Sequence, residues 1–233
     1  MKSLIIIIII IIILSSCILF SVSGIKNKST WAKGKPAVFQ GKVYDGKVYD
    51  SKVYDSKVYD SKMNFNEAVK GLDIPRQIIK DLLLVDVEYY STDNRLHRGQ
   101  VLVHKLLAVE IKEIFEEIKS ARFPIYKAIP ISIYQWSDSL SMLDNNTSCF
   151  NYRMVKGTRI LSAHAKGKAI DINPFLNPQV KNKKRSPEKA VYNPNIPGTL
   201  SESSPVVKAF KKRGWKWGGN WRTMKDYQHF EKR

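Results

Sequence analysis

Two histidines and two aspartates in separate stretches of the chain have the residue types of a metal site. The first stretch, residues 162–173, places His164 and Asp171 seven residues apart. The second lies near the C-terminus and holds Asp226 and His229. Zinc binds histidine nitrogen and carboxylate oxygen, and a catalytic zinc keeps three protein ligands and one open position. His164, Asp171 and His229 supply such a set of ligands.

Asp226 and Arg153 add the groups that a hydrolytic reaction needs. Asp226 precedes His229 by three residues, so its carboxylate can reach a water at the open position without binding the metal. Zinc lowers the pKa of water towards about 7, and a carboxylate can then take its proton during attack on a carbonyl and pass it to the leaving amine. Arg153 is a fixed cation suited to a substrate carboxylate or to an oxyanion. Each residue alone also has a structural interpretation, Asp226 as a surface charge and Arg153 as half of an ion pair.

The elements around these residues predict an α+β fold, a small antiparallel sheet with flanking helices. We expect His164 and Asp171 to lie on adjacent antiparallel segments joined by a turn at Gly167, with residues 168–172 forming a strand. A last strand carries His229 and Glu231 on one face. His97 and His104 are assigned structural roles, in a turn and in a strand.

Hydrophobic spacing predicts the other elements. The strongest pattern is an apolar stripe at helical spacing between Leu107 and Ile118, which indicates a core helix that ends before Pro124. Ser204 and Pro205 predict the start of a second helix, which Gly214 ends. The remaining predictions are a short helix at 74–82 with Pro75 in its first turn, strands at 85–90, 100–104 and 129–134, and a long loop at 173–204.

Several separated motifs occur together in a fixed order. They are Asn-Asn-Thr-Ser-x-Phe-Asn-Tyr-Arg from Asn145, Ser-x-His-x-x-Gly-x-Ala-x-Asp-Ile from Ser162, Asn-Pro-x-x-Asn-Pro from Asn173, Trp-x-Trp-Gly-Gly-x-Trp from Trp215, and Asp-x-x-His-Phe-Glu from Asp226. From about residue 89 to 231 the chain resembles the D-alanyl-D-alanine carboxypeptidase type of bacterial zinc peptidase, the VanY-like group. A close branch of that group includes the L-alanyl-D-glutamate endopeptidases of phage endolysins.

The resemblance implies a single zinc-peptidase domain that acts on the peptide stems of peptidoglycan. It implies one Zn²⁺ held by His164, Asp171 and His229, with Asp226 as the general base. Arg153 is then expected to bind substrate or steady the transition state, and Ser162 to line the site. A D-Ala-D-Ala carboxypeptidase is the activity we expect. An L-alanyl-D-glutamate endopeptidase and a non-catalytic cell-wall-binding module remain as alternatives.

The N-terminal part predicts export and a tether. In residues 1–23, Lys2 lies just ahead of a long run of isoleucines, which is typical of a signal peptide. Residues 14–17, Leu-Ser-Ser-Cys, have the form of a lipobox with Cys17 as the lipidated residue, and the alternative is an uncleaved membrane anchor. Residues 24–62 contain five-residue Lys-Val-Tyr-Asp repeats and predict a linker, so the catalytic domain is expected at 63–233. The protein would lie in the periplasm or at the cell surface, and in a Gram-negative cell Ile18 after the cysteine resembles outer-membrane lipoproteins.

Composition narrows the classes of partner. The formal net charge is +18, which attracts polyanions such as nucleic acid, anionic lipid or acidic cell-wall polymer. The export signal argues against nucleic acid, so peptidoglycan and the membrane surface are the partners that we expect for a monomer. The two cysteines, Cys17 and Cys149, exclude a disulfide framework and a cysteine-based zinc site.

Overall fold

The computed structural model describes residues 57–232. The predicted signal peptide or anchor at 1–23, its lipidation site Cys17 and the repeats before residue 56 lie outside the described residues. Among residues 57–232, no helix is long and apolar enough to cross a membrane.

The described residues form a mixed α+β fold, as predicted, with four small sheets instead of one. The strands are β1 (Val58–Tyr59), β2 (Leu82–Tyr90), β3 (Leu96–His104), β4 (Lys127–Ala128), β5 (Asn146–Thr147), β6 (Ala169–Asp171), β7 (Gln179–Lys181), β8 (Lys184–Ser186), β9 (Lys216–Trp217), β10 (Lys225–Asp226) and β11 (His229–Glu231). The helices are α1 (Phe65–Ala68), α2 (Arg76–Lys80), α3 (Ala108–Ser120), α4 (Asp138–Leu143) and α5 (Pro205–Lys211).

Three of the sheets have three strands, and only one of these includes a parallel pair. Their orders are β1-β3-β2, β10-β7-β8 and β6-β11-β9, and β4 with β5 makes a two-stranded parallel sheet. In the first sheet β2 and β3 form a long antiparallel hairpin, and β1 runs parallel to β3. In the third sheet β11, the last strand, lies in the centre.

Helix α3 lies at the centre of the main core. Its stripe of Ile111, Ile114, Phe115 and Ile118 is buried, as its spacing predicts. It packs against β2 on one side and α5 on the other. Each fully buried aliphatic or aromatic side chain of this kind contributes about 1.5–3 kcal/mol. The same core takes in residues of β6 and β11, so the helix and the third sheet are held together by one apolar cluster.

The predicted strand at 129–134 is wrong, because residues Ile131–Tyr134 form a 3-10 helix. Pro130 precedes it and has no N–H to give to a strand ladder. Instead, the carbonyl of Pro130 accepts a bond from the Ile133 N–H at 3.2 Å. The side chain of Asn146 bonds both the N–H and the carbonyl of Ile129, each at 2.9 Å, and so replaces a neighbouring strand.

The predicted loop at 173–204 also contains an unexpected hairpin, β7 and β8. Asn182 and Lys183 form its two-residue turn with φ values of +49° and +64°, the left-handed pair that matches the twist of a hairpin. The basic run at 181–185 thus builds a turn. Strand β7 pairs with β10 and places Gln179 opposite Asp226.

The sequence predicts that the folded domain starts at residue 63, but the folded part begins earlier. Residues 57–62, predicted as the end of the linker, include β1 and lie against β3. His97, predicted in a turn, is a buried residue of β3.

Candidate metal centre

Three short elements bring His164, Asp171 and His229 together. His164 begins a 3-10 helix, His164–Lys166, which ends at Gly167 with φ +64°. Asp171 is the last residue of β6, and its register partner across the antiparallel pair is His229 of β11. Register partners share a face of the sheet with Cβ atoms about 4.5–5.5 Å apart. The predicted convergence is confirmed, although His164 lies on a helical turn and not on a strand.

Gly167 fixes the path between the first two residues of the cluster. A Cβ at this position would lie 2.5 Å from the His104 backbone nitrogen and 2.9 Å from a methyl of Leu82. The Gly167 carbonyl accepts a bond from that same His104 nitrogen at 2.9 Å. Only glycine combines a left-handed conformation with so close an approach.

The distances within the cluster fit a tetrahedral zinc ion. His229 Nδ1 lies 3.0 Å from Asp171 Oδ1 and 3.1 Å from His164 Nε2, and His164 Nε2 lies 3.3 Å from Asp171 Oδ1. With zinc–ligand bonds of about 2.0–2.1 Å, tetrahedral geometry separates two ligands by roughly 3.3 Å. These three residues are therefore spaced to hold one metal ion.

Hydrogen bonds outside the cluster orient both imidazole rings. His164 Nδ1 lies 2.6 Å from the Cys149 carbonyl oxygen, which leaves the lone pair of Nε2 facing the cluster. His229 Nε2 lies 3.5 Å from a carboxylate oxygen of Glu231, which leaves Nδ1 facing the cluster. A second partner of this kind fixes the tautomer of a metal-binding histidine. The roles of the Cys149 carbonyl and Glu231 were not predicted, although Glu231 was expected on the same strand face as His229.

The charges of the cluster shift its pKa values in opposite directions. Burial alone would raise the pKa of Asp171, but His164 and His229 beside it hold it far below its usual range. For His229, burial acts to lower the pKa, and the bonds to Asp171 and Glu231 outweigh it and raise the value to about 10. In the metal-free protein the raised pKa of His229 favours a proton in the cluster, and this proton must leave when a metal binds.

Asp226 is a buried carboxylate with one oxygen held and one without a partner. Gln179 Nε2 donates to its Oδ2 at 2.8 Å, while Oδ1 has no hydrogen-bond partner among the described residues. Burial raises the pKa of Asp226 to about 6, against the lowering effect of His229. An unpaired buried polar oxygen is costly unless a water or a ligand group binds it, so Oδ1 is available to a reactant. No motif or spacing pointed to Gln179.

Ser162 and Arg153 lie beside the cluster on a neighbouring pair of segments. Ser162 is buried, and its Oγ accepts a bond from the His164 N–H at 3.3 Å. The Ser162 N–H bonds the Arg153 carbonyl at 3.0 Å. The Arg153 side chain, about one third exposed, has its Nε 3.2 Å from Asp138 Oδ2. Ser162 thus supports His164, as expected for a residue that lines the site, whereas Arg153 is held in an ion pair.

Comparison with known protein families identifies the segment that contains this cluster. Residues 156–232 match a family model described as D-alanyl-D-alanine carboxypeptidase, which agrees over this segment with the resemblance predicted from the motifs. The matched segment includes Ser162, Asp226 and the three residues of the cluster, and begins three residues after Arg153. No solved structure gives a significant match to the chain.

Proposed function

We propose that this chain is a zinc-dependent peptidase of the D-alanyl-D-alanine carboxypeptidase family, which hydrolyses the stem peptides of peptidoglycan with D-Ala-D-Ala carboxypeptidase activity. The observation that carries the proposal is the buried His164–Asp171–His229 cluster with ligand atoms at zinc spacing. The family match over residues 156–232 supports the peptidase class and the type of substrate.

The three residues of the cluster are the proposed zinc ligands. Two neutral imidazoles and one carboxylate leave one position of a tetrahedral ion open, as catalytic zinc requires. When bound there, zinc supplies a Lewis acid that acidifies water and polarises a carbonyl. The Cys149 carbonyl and Glu231 keep the imidazole lone pairs aimed at the centre.

Asp226 is the proposed general base. Gln179 holds Oδ2, so Oδ1 is presented to a water without rotation of the carboxylate. A pKa raised to about 6 leaves the group ionised at neutral pH and still basic enough to take a proton. Asp226 then holds the proton from water and returns it to the amine that leaves when the peptide bond breaks. A module that only binds cell wall has no need of such a buried base, which disfavours the non-catalytic alternative.

Arg153 and the N-terminal sequence complete the proposal. We propose that Arg153, at one third exposure beside Ser162, binds the terminal carboxylate of the substrate. An exported location with an anchor at 1–23 and a repeat-containing tether suits a substrate outside the cytoplasm. The net charge of +18 suits an anionic wall.

Mass analysis of muropeptides tests the proposal. The zinc-loaded full-length protein is incubated with stem pentapeptides, and we expect loss of one terminal D-alanine. Release of fragments cut between L-alanine and D-glutamate would assign the endopeptidase activity instead. Two variants serve as controls. Asp226→Asn should bind zinc and not hydrolyse, and His164→Ala should lose both zinc and hydrolysis. Full hydrolysis by His164→Ala would show that the site assignment is wrong.

A further inference from the structure

The last repeat unit of the N-terminal region is bound to the edge of β3. Val58 and Tyr59 pair in parallel with His97 and Arg98. The N–H of Asp60 donates to the Arg98 carbonyl at 2.9 Å. Residues 57–62, Lys-Val-Tyr-Asp-Ser-Lys, are called here the docked unit, and they extend the first sheet by one strand.

The Asp60 carboxylate anchors the docked unit in the fold. Its Oδ1 lies 2.9 Å from His97 Nδ1, and its Oδ2 accepts a short bond from the Tyr89 hydroxyl. Tyr89 is fully buried and His97 is 8% exposed. Hydrogen bonds to a charged acceptor are stronger than neutral ones, and removing the acceptor leaves two buried donors unpaired.

The other side chains of the docked unit also have partners. Lys57 Nζ lies 2.6 Å from Glu88 Oε1. Ser61 Oγ donates to Gln100 Oε1 at 2.6 Å. Lys62 Nζ lies 3.7 Å from the centre of the Tyr59 ring. The side chains of Lys57, Asp60 and Ser61 each contact the fold, while Lys62 packs on Tyr59 within the docked unit. Side-chain contacts of this kind give strand addition to a sheet edge its specificity.

The same hexapeptide occurs three times in tandem. Residues 47–52 and 52–57 have the sequence Lys-Val-Tyr-Asp-Ser-Lys, identical to the docked unit, and residues 42–47 differ only by Gly46 in place of serine. The bonds from Asp60 to Tyr89 and His97 and from Ser61 to Gln100 use residue types that all three copies share. Gln100 also bonds the backbone N–H and carbonyl of Met63, which follows the docked unit. The edge of β3 therefore has the same side-chain complementarity for each copy.

We propose that the edge of β3 is a docking site for Lys-Val-Tyr-Asp-Ser-Lys, and that the upstream copies of the same chain exchange with the docked unit. When residues 52–57 occupy the site, the five residues 58–62 form a loop before Met63. The entropy of closing a loop grows only slowly with its length, so the shifted register is accessible. Each shift takes five residues out of the chain that precedes the domain, about 16–18 Å of extended reach. The repeats thus set the reach of the domain in discrete steps, whatever reaction it catalyses.

Four aspartates at equivalent repeat positions provide a test in the full-length chain. One variant carries Asp60→Ala alone, a second carries Asp45→Ala, Asp50→Ala and Asp55→Ala, and a third carries all four changes. Urea unfolding gives the equilibrium constant of each. We expect the second variant to match the unaltered chain. The unfolding constant of the fourfold variant should be at least about fivefold larger than that of Asp60→Ala. The Asp60→Ala chain still has aspartates in its upstream copies that can take the place of Asp60, and the fourfold variant has none.

Hydrogen exchange followed by mass spectrometry gives the register directly. In Asp60→Ala, amide protection should move five residues towards the N-terminus, from residues 57–62 to 52–57. Equal destabilisation by Asp60→Ala and the fourfold variant, without such movement, would overturn the proposal in favour of a fixed docked unit. A rescue of Asp60→Ala that increases with protein concentration would also overturn it, because the copies would then dock between chains. A fourfold variant as stable as the unaltered chain would show that the aspartate does not anchor the unit.

Discussion

At the scale of single residues, the hydrogen bond from Gln179 tunes Asp226. Burial raises the pKa of Asp226 to about 6, and the charge of His229 and the bond from Gln179, which favours the ionised carboxylate, both act to lower it. Gln179→Leu removes the donor and should move the acidic limb of kcat/KM upward by roughly one pH unit, since one unit equals about 1.4 kcal/mol. A pH–rate profile with unaltered zinc content measures this. A limb that stays in place would show that Asp226 is not the group that titrates.

The protonated cluster links pH to stability in the metal-free protein. The pKa of His229 is raised from 6.5 to about 10 in the fold, so its contribution is fully present below pH 6.5 and declines as pH rises towards 10. We expect the chelated protein to lose stability between pH 6.5 and 8.5. Zinc requires the unprotonated ring, so the stabilisation that zinc provides should grow over the same range.

Thermal melting with and without zinc measures both trends. Burial raises the pKa of the Cys149 thiol above its usual value in the folded protein. The measurements stop at pH 8.5 so that ionisation of this thiol in the unfolded chain does not add to the pH trend. His229→Gln serves as the control, since it should abolish the pH trend and the zinc effect together. A melting temperature of the chelated protein that rises with pH would contradict the charge assignment of the cluster.

The residues of the centre could be predicted because their types and order carry the chemistry. His164, Asp171 and His229 were found from spacing and motif, and the fold brings their ligand atoms within about 3.3 Å of one another. Gln179 and the Cys149 carbonyl could not be found in this way. A backbone carbonyl has no sequence identity, and Gln179 reaches Asp226 only through the pairing of β7 with β10.

At the scale of elements, prediction succeeded where one periodicity dominated and failed where a turn decided the structure. Helix α3 and strand β2 have long regular patterns, and their cores lie where expected. The segment 129–134 alternates like a strand, but Pro130 and the side chain of Asn146 decide its backbone. The hairpin of β7 and β8 depends on left-handed Asn182 and Lys183, in a stretch dominated by lysine and proline.

The turn that ends at Gly167 places His164 in the cluster. Gly167→Ala places a Cβ 2.5 Å from the His104 nitrogen in a left-handed conformation, and should cost about 2–4 kcal/mol of stability. Because His164 begins the turn that Gly167 ends, zinc affinity should fall as well.

The matched control is Gly157→Ala, with φ +77° and no atom within 4 Å of the new Cβ. It should cost only about 1–2 kcal/mol, and equal losses would show that the close contact is unimportant. Urea unfolding and zinc titration measure both variants.

At the scale of the whole molecule, the C-terminal strand joins the proposed metal centre to the core. Strand β11 is the central strand of its sheet. Phe230 is fully buried and stacks on Phe210 at 4.2 Å between ring centres. Lys232 pairs with Glu110 of α3 at 2.6 Å. The sequence predicted His229 as a metal ligand near the C-terminus, but the central position of its strand follows only from the pairing of β6, β11 and β9.

Removing residues 226–233 should therefore unfold the third sheet as well as remove a ligand. Loss of the Phe230 side chain alone costs about 3–5 kcal/mol, and β6 and β9 lose their shared partner. We expect the truncated chain to lack a cooperative thermal transition and to bind no zinc. Full-length His229→Ala should also lose zinc, but it should keep a cooperative transition because β11 and Phe230 remain. Calorimetry with zinc titration separates the two cases, and a truncated chain that melts cooperatively would show that β11 carries a ligand without supporting the fold.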